Sequence, residues 1–300
     1  MPPHLANRRR GLAWAFAAAF GSALFVIPWK LANTAGSPDH SVLILLSSAA
    51  LMNSALVVGQ RIAVGGVRLR SLRLDFGVAS LLAVFTLLGN LASAHAIQDL
   101  SPALLNVLLR AEVMLVAVLA WLLLGERVER RFWLGATLAM LGLFVLQERS
   151  DGSNATAILG AGTGMALAAA ACFSAMSVTT RQFIHRIDPV LVNAIRLWVA
   201  VALWFPFHAL PRPGEIPREQ VVWAVAAATM GPFASRLCLM ISARDVEART
   251  TTLANLTSPL MTVPLGWALL ADVPRPHQLL GGAIMIAGIA IPFLRRPRRD

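Results

Sequence analysis

Four ionisable side chains stand in stretches where a polar group is expensive. Arg110 and Glu112 fall in NVLLRAEVMLVAVLAWLLLGE, Arg196 in NAIRLWVAVALWF and Arg236 in PFASRLCLM. A guanidinium or carboxylate in so apolar a run must find a partner or face water, and is a site candidate by default. Three arginines against one glutamate leave a net charge of +2, which favours anionic or zwitterionic solutes through charge-assisted bonds to a carboxylate. On a regular helix, residues two apart point about 200° from each other. Arg110 and Glu112 are therefore expected to meet different surroundings rather than pair. Each of the four is open to two readings, as lining of a path or as a pin between helices.

Polar residues extend the pattern. Asn106 lies one turn before Arg110 on the same face, and Thr251, Asn255, Ser258 and Thr262 recur at i, i+4, i+7 and i+11. Pro259 and Pro264 interrupt that second series, freeing carbonyls that are tolerable only against protein or water. The expected substrate path is thus Asn106, Arg110, Glu112, Arg196, Thr251, Asn255, Ser258 and Thr262. Asn90 is a further cavity candidate, as is Arg236, which is also near enough to a span end to snorkel. Enzymatic chemistry finds no support: there is no HExxH, no GxSG and no pair of membrane aspartates, and His95–Asp99 is one residue short of HxxxxD. Cys172 and Cys238 have no metal-like spacing. No catalytic residue, cofactor or metal is expected.

The elements that must position these groups are hydrophobic runs. Of 300 residues, 57% are hydrophobic and 14% charged, against roughly 25% charged in soluble domains. Ten runs approach the length of a bilayer crossing, at about 11–32, 41–60, 76–97, 102–124, 132–147, 157–180, 189–210, 220–243, 250–271 and 278–294, the fifth and tenth being short. Backbone groups in hydrocarbon must be satisfied within their own segment, which makes these helices. The first run has the basic start of a signal peptide but too long an apolar core and no small-residue cleavage site, and is expected to be a retained span.

The net charge of +11 does not point to nucleic acid, because arginines cluster at run ends. With the N-terminus in the cytoplasm, 18 basic residues fall on the inner side and 4 on the outer, the asymmetry that orients membrane proteins. Both termini are expected inside, with short tails at 1–10 and 295–300.

The chain also matches itself at an offset of 146 residues: Asp99 on Asp245, Trp121 on Trp267, Leu123–Leu124 on Leu269–Leu270, Glu126 on Asp272, Gly135 on Gly281 and Gly142 on Gly288. The glycines read as close-packing positions. Five runs per offset is an odd number, so the second copy enters the membrane from the opposite side. The expectation is an all-α integral membrane protein of ten transmembrane helices in two inverted five-helix repeats, 11–148 and 157–294, joined by a linker at 149–156. Such inversion is the architecture of alternating-access transporters.

The segment LSPALLNVLLRAEVMLVAVLAWLLLGER, the helix WLGATLAMLGLFVL and their second copies resemble the drug/metabolite transporter superfamily, EamA type. The family often carries proline after the acidic residue of the fourth helix; position 113 is valine, while the second copy keeps Pro259. The resemblance implies a multi-pass carrier of small metabolites in the inner membrane, often an exporter, with a central cavity between its halves. The expected partners are a small-molecule substrate and the lipid bilayer. A proton-coupled exporter of lipophilic cations working through Glu112 is the alternative.

Overall fold

Apolar surroundings leave the backbone few ways to satisfy itself, and the chain uses one of them. The computed structural model describes residues 3–64, 72–99, 105, 108–125, 129–146, 160–212, 214–247, 250, 251, 254, 256–258, 261 and 276–291, and among these there is no strand. The helices are α1 (Pro3–Ala35), α2 (Pro38–Val64), α3 (Leu72–Asp99), α4 (Glu112–Leu124), α5 (Arg130–Leu146), α6 (Ala161–Phe183), α7 (Pro189–Trp204), α8 (Arg218–Ala228), α9 (Arg236–Ser242) and α10 (Pro276–Ala290). A π-helical turn, Thr229–Ser235, joins α8 to α9.

Among the described residues, six segments are long and apolar enough to cross a membrane: Arg9–Ala35, Pro38–Gln60, Arg73–Asp99, Ala161–Phe183, Pro189–Phe207 and Arg218–Ser242. This is a multi-pass membrane protein. Within the described residues, α5 runs for 17 residues and α10 for 15. Local chemistry marks the ends. Asp188 accepts hydrogen bonds from the Val190 and Leu191 amides ahead of α7, with Pro189 in the first turn, where its missing N–H costs nothing. Gly125 closes α4 in the left-handed region at φ 65°, a conformation that glycine adopts without penalty.

Small residues set how the helices meet. Ala15, Ala18, Ala19 and Ala23 on α1, Ala166, Ala169 and Ala170 on α6, and Ala224, Ala227 and Ala228 on α8 are buried, and let backbones approach closely. α1 packs on α8, the π turn and α9; α2 on α7 and α8; α3 on α6 and α7; and α4 on α6. Helices from the first part of the sequence therefore lie mainly against helices from the second. The tightest approach is between α5 and α10. A Cβ on Gly142 would stand 2.4 Å from the Met285 amide nitrogen, and one on Gly288 would stand 2.4 Å from that of Ala139. Since 142 lies beside 281–285 and 288 beside 135–139, the two helices run antiparallel. Leu122, Leu123, Leu134, Leu141 and Phe144 are exposed, as lipid-facing side chains are.

Two runs depart from plain helices. In the fourth, the Ala111 amide bonds to the Leu108 carbonyl and the Val113 amide to that of Arg110, at 3.0 and 3.1 Å. These three-residue closures make a tight turn at Arg110–Ala111, and α4 starts only at Glu112. In the eighth run, the π turn contains Gly231 and Pro232. Proline has no amide to donate to the preceding turn, and a π turn widens the helix at that point.

Contacts at the helix ends define two faces. The face where α1 begins, the proximal face, also carries the end of α9, since Arg10 meets Asp245 there. The distal face gathers the end of α3, the start of α2 and the end of α7, where His95 and His208 both approach Asp39.

Candidate functional site

A cavity of about 200 Å³ lies between α1, α3, the turn before α4, α6, α7 and the π turn. Arg110, Glu112, Arg196, Arg236 and Asn90 all line it. The four charged residues thus share one space. The α-helical spacing that would point Arg110 and Glu112 apart does not hold through the turn, and the two are also within electrostatic reach of each other.

Each charge is held differently. Arg196 is 1% exposed and sits at the head of a polar chain. Its Nη1 donates to Thr86 Oγ1 at 2.6 Å and its Nη2 to Asn193 Oδ1 at 2.6 Å. With its oxygen turned to the guanidinium, Asn193 donates from Nδ2 to Asn53 Oδ1 at 2.7 Å, and Asn53 donates to the Ala49 carbonyl at 2.9 Å. Each amide orientation follows from the one before it, so the chain from α7 into α2 runs in one direction. Thr86 in turn donates to the Leu82 carbonyl at 2.7 Å.

Arg236 is 9% exposed, so it does not snorkel; it faces the cavity. The π turn sets this position, because it rotates α9 relative to α8. Its Nη2 reaches Thr180 Oγ1 at a long 3.5 Å, and its buried Nε has no hydrogen-bond partner. Glu112 supplies the nearby negative charge, itself receiving a bond from Ser177 Oγ to Oε1 at 3.1 Å. Asn90 donates to the Thr86 carbonyl at 2.7 Å, leaving its oxygen for other partners.

The rest of the wall is apolar. Phe25 and Trp29 stack with ring centroids 5.6 Å apart, and Phe173 and Leu109 add to it. Two glycines make room for the rings: a Cβ on Gly231 would lie 2.6 Å from the Phe25 ring, and one on Gly89 2.7 Å from that of Phe173. Guanidinium donors beside aromatic surface can hold a small molecule with an anionic end and an apolar body.

Of the polar series of the ninth run, Thr251 and Ser258 are among the described residues. Thr251 is buried outside this cavity, its hydroxyl 3.3 Å from Ser242 Oγ and 3.2 Å from the Glu247 carbonyl. Ser258 is also buried and is not part of the lining. The i, i+4, i+7 rule presumes a regular helix, whereas Leu256 and Thr257 form a turn. Asn106, Asn255 and Thr262 lie outside the described residues. Thr86, Ser177 and Asn193 were not singled out in the sequence. Only Asn193, one turn before Arg196 in NAIR, carried a visible cue.

No curated protein matches the sequence. Among solved structures, one titled "Crystal structure of protein" superimposes with a TM-score of 0.75 at 20% identity, covering 94% of this chain and 96% of that one; at that identity the likeness concerns the fold. The model of the EamA-like transporter family matches twice, over residues 9–147 and 160–294. With two successive copies of the family's unit filling nearly its whole length, the chain belongs to the EamA-like transporter family.

Proposed function

We propose that this protein is a secondary transporter that exports small polar metabolites, amino acids or organic acids, across the cytoplasmic membrane by alternating access. The observation that carries the reading is the cavity itself, in which three arginines outnumber one glutamate inside an apolar helical bundle. A positive cavity walled in part by apolar side chains attracts a carboxylate and repels lipophilic cations. Arg236, whose Nη2 makes a single long contact, binds the anionic group; Arg110 and Asn90 complete the polar end; Phe25, Trp29 and Phe173 take the apolar part. Asn106, Thr251, Asn255, Ser258 and Thr262 belong to the path in its other conformations.

Ten spans in two inverted halves, 11–148 and 157–294, are the architecture of this reading. The antiparallel packing of α5 on α10 supports it, because Gly142 and Gly288, one repeat apart, make the same contact in reverse. The excess of arginine on one side supports cytoplasmic termini.

Uptake of labelled amino and organic acids into proteoliposomes tests the substrate class, with Arg236→Gln and Arg110→Ala expected to abolish carboxylate flux. The aromatic wall beside Glu112 favours a second reading, proton-coupled efflux of lipophilic cations. Its mark is resistance that needs Glu112 and survives Arg236→Gln.

A further inference from the structure

The cavity does not end at Arg236. That residue and Leu239 also border a second space of about 20 Å³, lined by Ser177, Thr180, Ala243 and Thr251 among others, on the proximal side. This volume holds about one water. Three hydroxyl-bearing residues around so small a void suit a narrowed route better than a packed core.

Beyond it lies a layer of contacts that closes the proximal face. Ser242 Oγ donates to the Gly11 carbonyl at 2.7 Å. Arg181 donates to the Ala243 carbonyl. Arg10 clasps Asp245 with two bonds, Nε to Oδ2 at 3.0 Å and Nη2 to Oδ1 at 3.2 Å. α1 comes this near only because residue 11 is glycine: a Cβ there would stand 2.7 Å from Asp245 Cβ.

All three contacts hang on one short element. α9 has seven residues, with the cavity arginine at its start and the closing layer at its end. Upstream of it, Gly231 and Pro232 sit in the π turn, where the helical ladder is already interrupted.

We propose that α9 is the gate of the proximal half-route: it swings on the Gly231–Pro232 π turn, and release of the Arg10–Asp245 and Ser242–Gly11 contacts connects Arg236 to the proximal face. The purpose of such a gate rests on the transport reading, but its motion is read without any substrate, so the two fail separately. The test is the rate at which a membrane-impermeant maleimide labels Ala243→Cys, with Cys172 and Cys238 changed to Ala, in sealed vesicles of known orientation. Asp245→Asn keeps the shape of the side chain and removes one ion pair between an exposed Arg10 and a largely covered Asp245 carboxylate, so labelling from the proximal side rises about two- to fivefold. Gly11→Ala wedges the layer apart and raises it further, while the exchange Arg10→Asp with Asp245→Arg returns it toward the parent rate. Pro232→Ala restores an amide to the turn and cuts the gain seen with Asp245→Asn. Unchanged labelling in Asp245→Asn overturns the gate, as does acceleration confined to the distal side. A gain indifferent to Pro232→Ala overturns the hinge. Asp245→Asn alone decides the first point if Gly11→Ala does not fold.

Discussion

Arg196 and Arg236 look alike in composition and depth, yet the structure uses them in opposite ways. Arg196 has neutral acceptors on both terminal nitrogens, at 2.6 Å each, and these lead through Asn193 to Asn53. Arg236 has one long contact from Nη2, while the buried Nε lacks a hydrogen-bond partner in both arginines. The first ties α7 to α3 and α2; the second makes one long contact to Thr180 from the cavity wall. Burial by itself does not separate a structural cation from a binding one. Hydrogen-bond satisfaction does, because an unmet buried donor is costly unless a ligand meets it.

The difference can be broken or sharpened by substitution. Arg196→Met strips partners from Thr86 and Asn193 at once and should cost about 2–5 kcal/mol of stability, at about 1–3 kcal/mol for each buried group left unpaired; thermal unfolding in detergent measures it. Asn193→Ala comes next, at about 1–3 kcal/mol. Because the two residues share one network, the double variant should lose less than the sum of the single losses; strict additivity would mean the chain is not a unit. Arg236→Gln should shift stability by less than about 1 kcal/mol, since it removes a charge with few bonds, while abolishing carboxylate flux in proteoliposomes. Equal destabilisation by Arg236→Gln and Arg196→Met would erase the distinction. Thr180→Val, which removes the 3.5 Å contact to Arg236 and a bond from the hydroxyl to the Met176 carbonyl of its own helix, should change stability least, by about 0.5 kcal/mol, because such local back-bonds add little to a helix.

The two ends of the bundle repeat the lesson on a larger scale. The cavity reaches toward the distal face, where its wall includes Trp29 near the end of α1 and Ile97 near that of α3. Toward the proximal face the space shrinks from about 200 to about 20 Å³ and then meets the clasp. The closed end depends on glycine at position 11 and on an ion pair whose residues are 235 apart in sequence.

Much of this was legible before any coordinates. Hydrophobic runs of bilayer length declared the helices, and the cost of charge in such runs singled out Arg110, Glu112, Arg196 and Arg236. The glycines at 135, 142, 281 and 288 announced a close approach that α5 and α10 make. Other features left weaker traces. Gly231–Pro232 interrupts the eighth run, but the Phe25 ring that packs against Gly231 comes from α1 and leaves no mark in the local sequence. The turn at Arg110–Ala111 has neither proline nor glycine to betray it. Thr86 and Ser177 resemble any hydroxyl in a membrane helix, where such residues commonly bond to their own backbone.

The sequence by itself determined that this chain is helical, apolar, built on a repeat and burdened with four deep charges, because each of those properties follows from composition or spacing along one strand of text. Only the tertiary structure decided that the four share a cavity, that both terminal nitrogens of Arg196 are bonded, and that Arg10 clasps Asp245. Those outcomes rest chiefly on contacts between residues 110 to 235 apart, and neither side-chain type nor periodicity encodes the distance between segments that meet only when the bundle closes.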